Sequence, residues 1–472
     1  MTEIERVAAF VARARWEDVP DAARDQLRIR ILDSVGCAIG ALDGEPVRMI
    51  RVHLEDFGGA EHCTLIGGGR TAPDRAAFYN GALVRYLDFN DSYLAPGETC
   101  HPSDNLSAAL AAAEYAGATG RDLLTALAVA YQVQCRLSDE APVRDRGFDH
   151  TTQGVYGAAA GAARALGLDP ARTANALAIA GTAFNALRVT RTGALSHWKG
   201  LAAPNAAFAG VHAAFLAMRG ITGPSEVFEG NKGFEESIAG PFEIDWETEG
   251  LDRVTRTILK RYNAEIHSQS TLEGTLELRD LHAIDPVTIE RVEIETFDVA
   301  FHIIGGGEEG DKTIVSTKEE ADHSLHYMVA VALLDGQVLP PQYEPDRIRR
   351  EDVQTLLRKV TVRPREDFSR RFPEEMPCRI SIRIRDGAVL EIEKRDYEGF
   401  LTRPMQWETV VAKFQGLAGL GLDPDLGSGI RSGIQELEER PASHLAGLLA
   451  RISDELPQLR RSQSGPPHGP LD

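Results

Sequence analysis

Residues 86–104 concentrate acid–base side chains in one loop between two apolar helical segments. The loop contains the carboxylates Asp88 and Asp91, the hydroxyl of Ser92 and the imidazole of His101. Carboxylate and histidine are the usual groups for moving protons near neutral pH. A short irregular loop that holds so many titratable groups is costly to order for structural reasons alone. We therefore interpret Asp88 and His101 as residues that take part in chemistry.

Further candidate residues lie at predicted helix ends or where the composition changes: His150, Lys199, Lys260, Arg261, His267, His323 and Tyr327. Taken alone, His150 is more typical of a capping or core histidine. Lys199 fits a surface lysine as well as an anion site at a helix N-terminus. His323 and Tyr327 are four residues apart, so one continuous helix would place both on the same face, either in a cleft or as a core pair.

The bulk composition excludes several classes of function. The net charge of −20 over 472 residues argues against a nucleic-acid partner or an anionic membrane, and an anionic substrate would need its own local cluster of cations. Five widely spaced cysteines without a CxxC pair argue against a disulfide framework, a zinc site and an iron–sulfur site. We find no signal peptide and no apolar run of membrane length, and expect a reduced, cytoplasmic compartment.

Most of the chain reads as helices. Alanine-rich segments predict helices over 105–117, 121–136, 154–166, 170–180 and 203–218. Asp104 is expected to cap the first of them, and Asp169 followed by Pro170 to begin the fourth. Small residues on these faces allow close approach, which predicts a compact helical bundle. Helical patterns return after Pro404 and over 441–453.

Residues 265–400 read as an α+β unit. Apolar residues alternate with polar ones over 292–296 and 380–384, and the second run meets Asp386-Gly387, a strong hairpin signal. A further short strand is predicted at 360–362 and a helix over 319–334. The glycine-rich stretches 66–69 and 304–310 lack a nucleotide-binding context and are predicted to be flexible loops. Residues 461–472 are predicted to be disordered.

In their order along the chain, these signatures resemble the MmgE/PrpD family, which includes 2-methylcitrate dehydratases and cis-aconitate decarboxylases. The resemblance covers about residues 1–455. Its motifs are Asp-Phe-Asn-Asp-Ser at 88–92, His-Pro-Ser at 101–103, Gly-Phe-Asp-His at 147–150, the lysine at 199, Lys-Arg-Tyr-x-x-x-x-His at 260–267 and Ala-Asp-His-Ser-x-x-Tyr at 321–327. Ser92 stands where a threonine is common in the family, which keeps the hydroxyl.

The resemblance implies a mainly α fold. It implies one large helical domain built from both chain ends, residues 1–264 and 401–460, with a smaller α+β lid domain inserted at 265–400 and the active site between them. It also implies a homodimer. The family pattern places catalytic roles on Asp88, His101, His150, Lys199, Lys260 and Tyr327. We expect Ser92, Arg261, His267 and His323 to bind substrate. Because the cysteine pattern argues against an iron–sulfur Lewis acid, we expect no metal and no cofactor.

The implied activity is a cofactor-independent dehydratase of a β-hydroxy tricarboxylate, with 2-methylcitrate first. His101 and His150 are the best proton carriers, Asp88 would tune a histidine or act as the base itself, and the lysines would hold carboxylates. The length of the segment between Asp91 and His101 and the Gly-Phe-Asp-His motif favour the dehydratase branch. A cis-aconitate decarboxylase, an epimerase of a small imino- or amino-dicarboxylate, and a non-catalytic binding homologue stay open.

Overall fold

The computed structural model describes residues 1–419 and 422–452 of the chain. The predicted disordered tail at 461–472 lies outside the described residues. Helices dominate the first half of the chain. They are α1 Glu3–Arg13, α2 Asp21–Gly40, α3 Glu45–Phe57, α4 Pro73–Tyr86, α5 Leu106–Ala116, α6 Gly120–Glu140, α7 Thr151–Ala165, α8 Pro170–Ala183 and α9 Trp198–Met218.

The helices predicted in this half are present, and the predicted start of α8 is confirmed. The side chain of Asp169 accepts a hydrogen bond from the backbone N–H of Arg172, and Pro170 occupies the first turn. The expected cap of α5 is wrong. Asp104 does not cap the helix, because its carboxylate instead accepts a hydrogen bond at 2.9 Å from the side-chain amide of Asn90 inside the 86–104 segment.

The 86–104 segment is more regular than the sequence suggested. It contains an antiparallel hairpin of β3 Tyr93–Ala95 and β4 Glu98–Cys100, which follows the small hairpin of β1 Cys63–Thr64 and β2 Arg70–Thr71. Gly97 closes the turn with φ of +75°, a conformation that glycine adopts without strain. The hairpin is what brings His101, at its far end, back beside Asp91.

The middle of the chain forms one mixed four-stranded sheet with helices against it. The strands are β5 Ile289–Thr296, β6 Val360–Pro364, β7 Cys378–Ile384 and β8 Val389–Lys394, in the order β6-β5-β7-β8. The β5–β6 pair is parallel and the others are antiparallel, and β7–β8 is the predicted hairpin. The helices are α10 Gln269–Leu281, α11 Asp298–Ile304, α12 Lys318–Ala321, α13 Leu325–Asp335, α14 Pro345–Ile348, α15 Glu351–Leu357 and α16 Glu366–Ser369.

The single helix predicted over 319–334 is wrong, and the break matters for the site. Helix α12 ends at Ala321, and α13 begins only after Ser324, whose hydroxyl accepts a hydrogen bond from the N–H of Tyr327. Asp322 and His323 therefore sit in a tight connection between two helices. Because the helix is interrupted, His323 and Tyr327 do not share a face.

Helices return at the end of the described chain as α17 Trp407–Ala418, α18 Pro424–Gln435 and α19 Ala442–Ala450. Their buried residues join those of α1–α9 in one apolar core, while a second core lies within residues 264–382. The chain is thus mainly α. The division at 265 and 400 into a body and a lid domain stays a prediction, and we use "body" for the first core and "lid" for the second.

Helix α9 corrects the expectation that no apolar run reaches membrane length. Its 21 residues have the length and composition that a membrane-crossing helix would need, with a mean hydropathy of 1.4 over the most apolar stretch. However, 56% of that stretch is buried inside the protein, where the helix packs against α4, α7 and α8. These contacts identify α9 as a core helix of the body that carries Lys199 in its first turn.

Candidate active site

A cavity lies where the body meets the lid. Predicted site residues from both units line it: Asp88, His101, His150, Lys260, His267 and His323. The lining side chains also include four arginines that sequence reasoning did not select: Arg85, Arg144, Arg188 and Arg191.

Asp88 is the anionic centre of the cavity wall. Its carboxylate accepts hydrogen bonds at 2.7 Å from both Arg85 and Lys260, and the ammonium of Lys199 lies 3.5 Å away. Burial opposes ionisation, but these cations together hold the pKa of Asp88 well below its usual range. Because three cations surround it, the Asp88 carboxylate is placed to hold Arg85, Lys199 and Lys260 at the cavity wall.

The backbone at Asp88 is strained, with φ of +54° just beyond the end of α4. Aspartate and asparagine tolerate this left-handed conformation better than bulkier residues do. The bend turns the carboxylate back toward Arg85, one helical turn earlier, and turns the carbonyl oxygen toward Lys260, which donates to it at 2.6 Å. Strain of this kind is typical of functional sites.

Lys199 joins the body to the lid. Its ammonium donates to Asp322 at 2.7 Å and lies 2.9 Å from Nδ1 of His323. Asp88, Asp322 and His323 are also spaced closely enough to hold a metal ion. The Lys199 ammonium already lies among all three, so it supplies the positive charge that a divalent cation would bring.

His101 has a defined proton arrangement. Its Nδ1 lies 2.7 Å from the backbone carbonyl of Asp91, which can only accept, so Nδ1 carries the hydrogen when the ring is neutral. Burial, with Arg85 and Lys260 nearby, lowers the pKa of His101 well below its usual range. The ring is therefore neutral, and Nε2 presents a free lone pair and makes no hydrogen bond with the described residues.

Ser92 and Asp91 hold His101 in place from outside the cavity. The Ser92 hydroxyl lies 3.2 Å from Nδ1 of His101 and does not line the cavity. Asp91 accepts hydrogen bonds from the hydroxyl of Tyr131 at 2.8 Å and from the backbone N–H of Ser103 at 3.1 Å, which fixes the loop on both sides of the hairpin. Ser92 is placed to orient the histidine rather than to touch substrate.

His150 stands edge-on to His101, with ring centroids 5.4 Å apart. Both of its ring nitrogens are buried and neither has a hydrogen-bond partner among the described residues. Burial lowers the pKa of His150 to about 3, although Asp149 opposes the shift, so this ring is also neutral. Buried polar groups are nearly always paired, and an unpaired pair of nitrogens on a cavity wall points to a ligand.

His267 lies on the lid side and has a different partner. Its Nδ1 donates to the carboxylate of Glu265 at 2.7 Å, and its buried Nε2 has no hydrogen-bond partner among the described residues. The same carboxylate also accepts from the backbone N–H of His267, and its pKa is lowered despite burial, chiefly by His267. A carboxylate behind a histidine stabilises the imidazolium form.

Besides Ser92 and Lys199, two further predicted residues lie outside the cavity lining. Tyr327 is fully buried in the lid core, where its hydroxyl donates to the carbonyl of Gln342. Arg261 is 41% exposed and faces Glu398 at 3.5 Å on the surface. These positions do not support the expected catalytic role of Tyr327 or the expected substrate-binding role of Arg261. The helix break at 322–324 turns Tyr327 away from the cavity, and the side chain of Arg261 points outward.

Glu98 is a cavity residue that sequence reasoning missed. One carboxylate oxygen accepts from the side-chain amide of Gln153 at 2.7 Å, and the other is buried without a partner among the described residues. Burial raises the pKa of Glu98 to about 7. Glu98 lies on β4, in the same 86–104 segment as His101, and this position in the sequence could have identified it as a candidate.

Three of the four missed arginines come from two short connections of the body. Arg144 lies in the 3₁₀ turn Arg144–Arg146 just before the Gly-Phe-Asp-His motif, and Arg188 and Arg191 lie in the turn Arg188–Arg191 before α9. Arg191 pairs with Asp149 at 2.6 Å. Their closeness in sequence to His150 and Lys199 could have identified them. Together they supply the local positive charge that an anionic substrate of a chain with net charge −20 requires.

The comparison with known families gives a direct match. The MmgE/PrpD N-terminal domain matches residues 5–247, and the MmgE/PrpD C-terminal domain matches residues 262–437. The chain belongs to the MmgE/PrpD family. The resemblance inferred from the sequence is thereby confirmed, and the junction between the two matched domains lies beside Lys260, at the edge of the cavity.

Relatives of two activities lie at similar distances within the MmgE/PrpD family. A protein named cis-aconitate decarboxylase from Mus musculus is 27% identical over 98% of this chain and 96% of its own length. A 2-methylcitrate dehydratase from Escherichia coli strain K12 is 29% identical over 73% of this chain and 74% of its own length. One from Cupriavidus necator is 28% identical over 80% and 81% respectively. Relatives of this kind support an enzyme.

Proposed function

We propose that this protein is a cofactor-independent hydro-lyase that removes water from a β-hydroxy tricarboxylate, with 2-methylcitrate converted to 2-methylaconitate as the first choice. The observation that carries the proposal is the set of unpartnered histidine nitrogens facing a buried cavity rich in arginine and lysine. Neutral histidines suit proton transfer, and fixed cations suit carboxylates. We also propose a homodimer, as the family resemblance implies, in the cytoplasm, as the cysteine pattern favours.

His101 is the proposed base. Because its Nδ1–H is held by the carbonyl of Asp91, Nε2 is free to take the proton from the carbon next to a carboxylate. The negative charge that develops on that carboxylate would be stabilised by the ammonium of Lys260 and the guanidinium of Arg85, which Asp88 holds at the wall. The carbon–hydrogen electron pair then forms the new double bond.

His267 is the proposed acid. The carbon–oxygen bond breaks as the hydroxyl leaves with its electron pair, and Nε2–H of the His267 imidazolium donates the proton that completes water. Glu265 supports the charged ring before that transfer. His101 ends protonated and His267 neutral, and exchange with solvent restores both. His150 and His323 would donate or accept hydrogen bonds at substrate oxygens.

A cis-aconitate decarboxylase is the second candidate, and one observation favours it. The mouse relative of that name is 27% identical to this chain, in the same range as the dehydratases cited above at 29% and 28%. Decarboxylation would need the same cations, with a histidine protonating the carbanion that remains after CO₂ leaves. An epimerase would need two groups on opposite faces of the substrate that exchange one proton. His101 and His267 are the candidates for these two groups.

Product analysis separates these reactions. The purified protein would be incubated in EDTA at neutral pH with citrate, 2-methylcitrate or cis-aconitate, and the products identified by NMR together with released CO₂. An unsaturated tricarboxylate formed from 2-methylcitrate without CO₂ supports the dehydratase. Release of CO₂ from cis-aconitate, with no reaction of 2-methylcitrate, would replace it by the decarboxylase. No reaction with any of the three would overturn the tricarboxylate assignment.

A further inference from the structure

The glycine-rich stretch 304–310 of the lid carries a buried carboxylate into the cavity. Glu309 is 7% exposed and lines the cavity, between Gly306 and Gly310, both of which adopt positive φ. One of its carboxylate oxygens pairs with the guanidinium of Arg188 and lies 3.5 Å from that of Arg144. The ion pair thus joins a lid loop to two arginines of the body.

The two arginines lie in connections of the body that are hydrogen-bonded to each other. The segments that carry them are tied together, because the N–H of Arg188 donates to the carbonyl of Gly147 at 2.9 Å and Phe148 pairs with Leu187 in a β-bridge. Glu309 instead depends on a loop of several glycines, whose backbone can adopt many conformations. The two guanidinium groups are held in place, whereas the Glu309 carboxylate opposite them can move. A carboxylate of another molecule can therefore take its place.

The distribution of charge shows which cations a substrate can use. Arg85, Lys199 and Lys260 surround Asp88, and Lys199 also binds Asp322. Arg191 is paired with Asp149. Glu309 is the main anionic partner of Arg144 and Arg188 within the cavity. Asp149 is a second, more distant partner of Arg188, at 3.9 Å. Lys312, whose pKa is lowered by burial although Glu309 opposes the shift, adds a cation on the same side.

We propose that Arg144 and Arg188 form a carboxylate subsite for the substrate, and that Glu309 occupies it as an internal carboxylate until the substrate displaces it. Arginine pairs bind carboxylates with two-pronged geometry, so a substrate carboxylate can take over the same contacts. The inference rests on the proposed tricarboxylate function, and it explains how a third carboxylate finds a cation outside the Asp88 network.

Displacement has a measurable consequence. A ligand that must first displace an internal group binds more weakly by the fraction of protein in the competent state. Removing the charge of Glu309 should therefore tighten the binding of a tricarboxylate, by about tenfold if Glu309 occupies the subsite nine-tenths of the time. Removing Arg188 should weaken binding, and should also abolish the gain from changing Glu309.

The test uses tricarballylate, a tricarboxylate without a hydroxyl that cannot lose water, titrated calorimetrically into the full-length protein. The variants are Glu309→Gln, Arg188→Gln and the double variant, with Glu308→Gln as the control. Glu308 is the exposed neighbour on the same loop, and its change removes the same charge. Melting temperatures show that each variant is folded.

We expect tighter binding in Glu309→Gln, unchanged binding in Glu308→Gln, and weak binding in Arg188→Gln and in the double variant alike. Equal affinities of Glu309→Gln and Glu308→Gln, with binding to the unmodified protein intact, would overturn the subsite while leaving the tricarboxylate assignment standing. Failure of every folded protein, Glu309→Gln included, to bind tricarballylate would overturn both.

Discussion

His101 and His267 differ in the group that contacts Nδ1, and in the proposed reaction this difference assigns the base to His101 and the acid to His267. A backbone carbonyl holds Nδ1 of His101, whereas the carboxylate of Glu265 holds Nδ1 of His267. The carbonyl fixes a tautomer without supplying a full negative charge, so the ring stays neutral. The carboxylate stabilises a positive ring.

Replacing Asp88 by asparagine should destabilise the protein severely. The change preserves the shape of the side chain and tolerates the positive φ, but it leaves Arg85, Lys199 and Lys260 without their shared anion. Breaking a buried ion pair in this way costs about 3–5 kcal/mol of unfolding free energy. Urea unfolding at pH 7 would measure it.

Asp43→Asn provides the matched control, because Asp43 is exposed. Its unfolding free energy should stay within about 0.5 kcal/mol of the unmodified protein. Equal stabilities of the two variants would show that Asp88 does not balance the three cations.

Glu98 should make stability depend on pH. Its pKa is raised to about 7 in the folded protein from an ordinary 4.5, so between these values the folded state keeps a proton that the unfolded state releases. Stability from this group is therefore complete below pH 4.5, falls as the pH rises through 7, and drops by about 3 kcal/mol in total.

The Glu98→Gln variant should lack this loss. The difference in unfolding free energy between Glu98→Gln and the unmodified protein should grow in favour of the variant from pH 4.5 to 7.5. The exposed Glu308→Gln variant serves as the control and should give a difference that does not change with pH. A flat difference for Glu98→Gln as well would show that the Glu98 carboxyl is not buried in its neutral form.

At the scale of elements, the close packing of α7 against α9 positions both His150 and Lys199. Gly210 makes this contact: a Cβ built there would lie 2.7 Å from the Cβ of Ala158 and 2.7 Å from the backbone nitrogen of Ala159. Gly210→Ala should therefore push the helices apart and destabilise the protein by about 1–3 kcal/mol, despite the better helix propensity of alanine.

Gly200 on the same helix is the control, because a Cβ there meets nothing within 4 Å. Gly200→Ala should be neutral or stabilising by up to about 1 kcal/mol. Thermal unfolding of both variants measures the contrast. Equal melting temperatures would mean that α9 can move away from α7 without cost.

The regular elements were predictable from sequence where local signals agree. Capping by Asp169 with Pro170 marks the start of α8, and alternation with Asp386-Gly387 marks the β7–β8 hairpin. The break at 322–324 was not, because the apolar stripe continues across it and only the hydroxyl of Ser324 shows where a new helix begins. The 93–100 hairpin has strands of three residues each, too short for a pattern of period two.

The site was predictable in its histidines and lysines but not in its arginines. His101, His150 and Lys199 stand out because few other residue types perform acid–base chemistry beside a helix start. Arg144 and Arg188 lie in short turns where arginine is usually a solvated surface residue, and only the folding of both turns against one loop of the lid reveals them. Tyr327 does not line the cavity, because its predicted place beside His323 assumed an unbroken helix between the two residues.

At the scale of the whole molecule, the cavity lies between two cores that are separate in the fold. The body contributes His101, His150 and the arginines, and the lid contributes His267, His323 and Glu309. Contacts across the boundary run through Lys199 with Asp322 and through Arg188 with Glu309. Relative motion of the two units would therefore change the charge around a substrate as well as the access to it.

A homodimer is the assembly that we propose, and it predicts a sedimentation mass twice that of the chain. Part of the apolar helix α9 remains exposed in the single chain. A little more than half of its most apolar stretch is buried, and Trp198 is 47% exposed. Sedimentation equilibrium at several protein concentrations would measure the mass. A mass equal to that of one chain at every concentration would contradict the dimer.

The central claim is metal-independent dehydration with His101 as the base. The most direct measurement follows the ultraviolet absorbance of the conjugated alkene in EDTA at neutral pH, with 2-methylcitrate as substrate, for the unmodified protein and for His101→Gln. We expect rising absorbance for the unmodified protein and a loss of at least about 100-fold in rate for the variant, with an unchanged melting temperature. Equal rates for the two proteins, or no absorbance change with 2-methylcitrate in either, would contradict it.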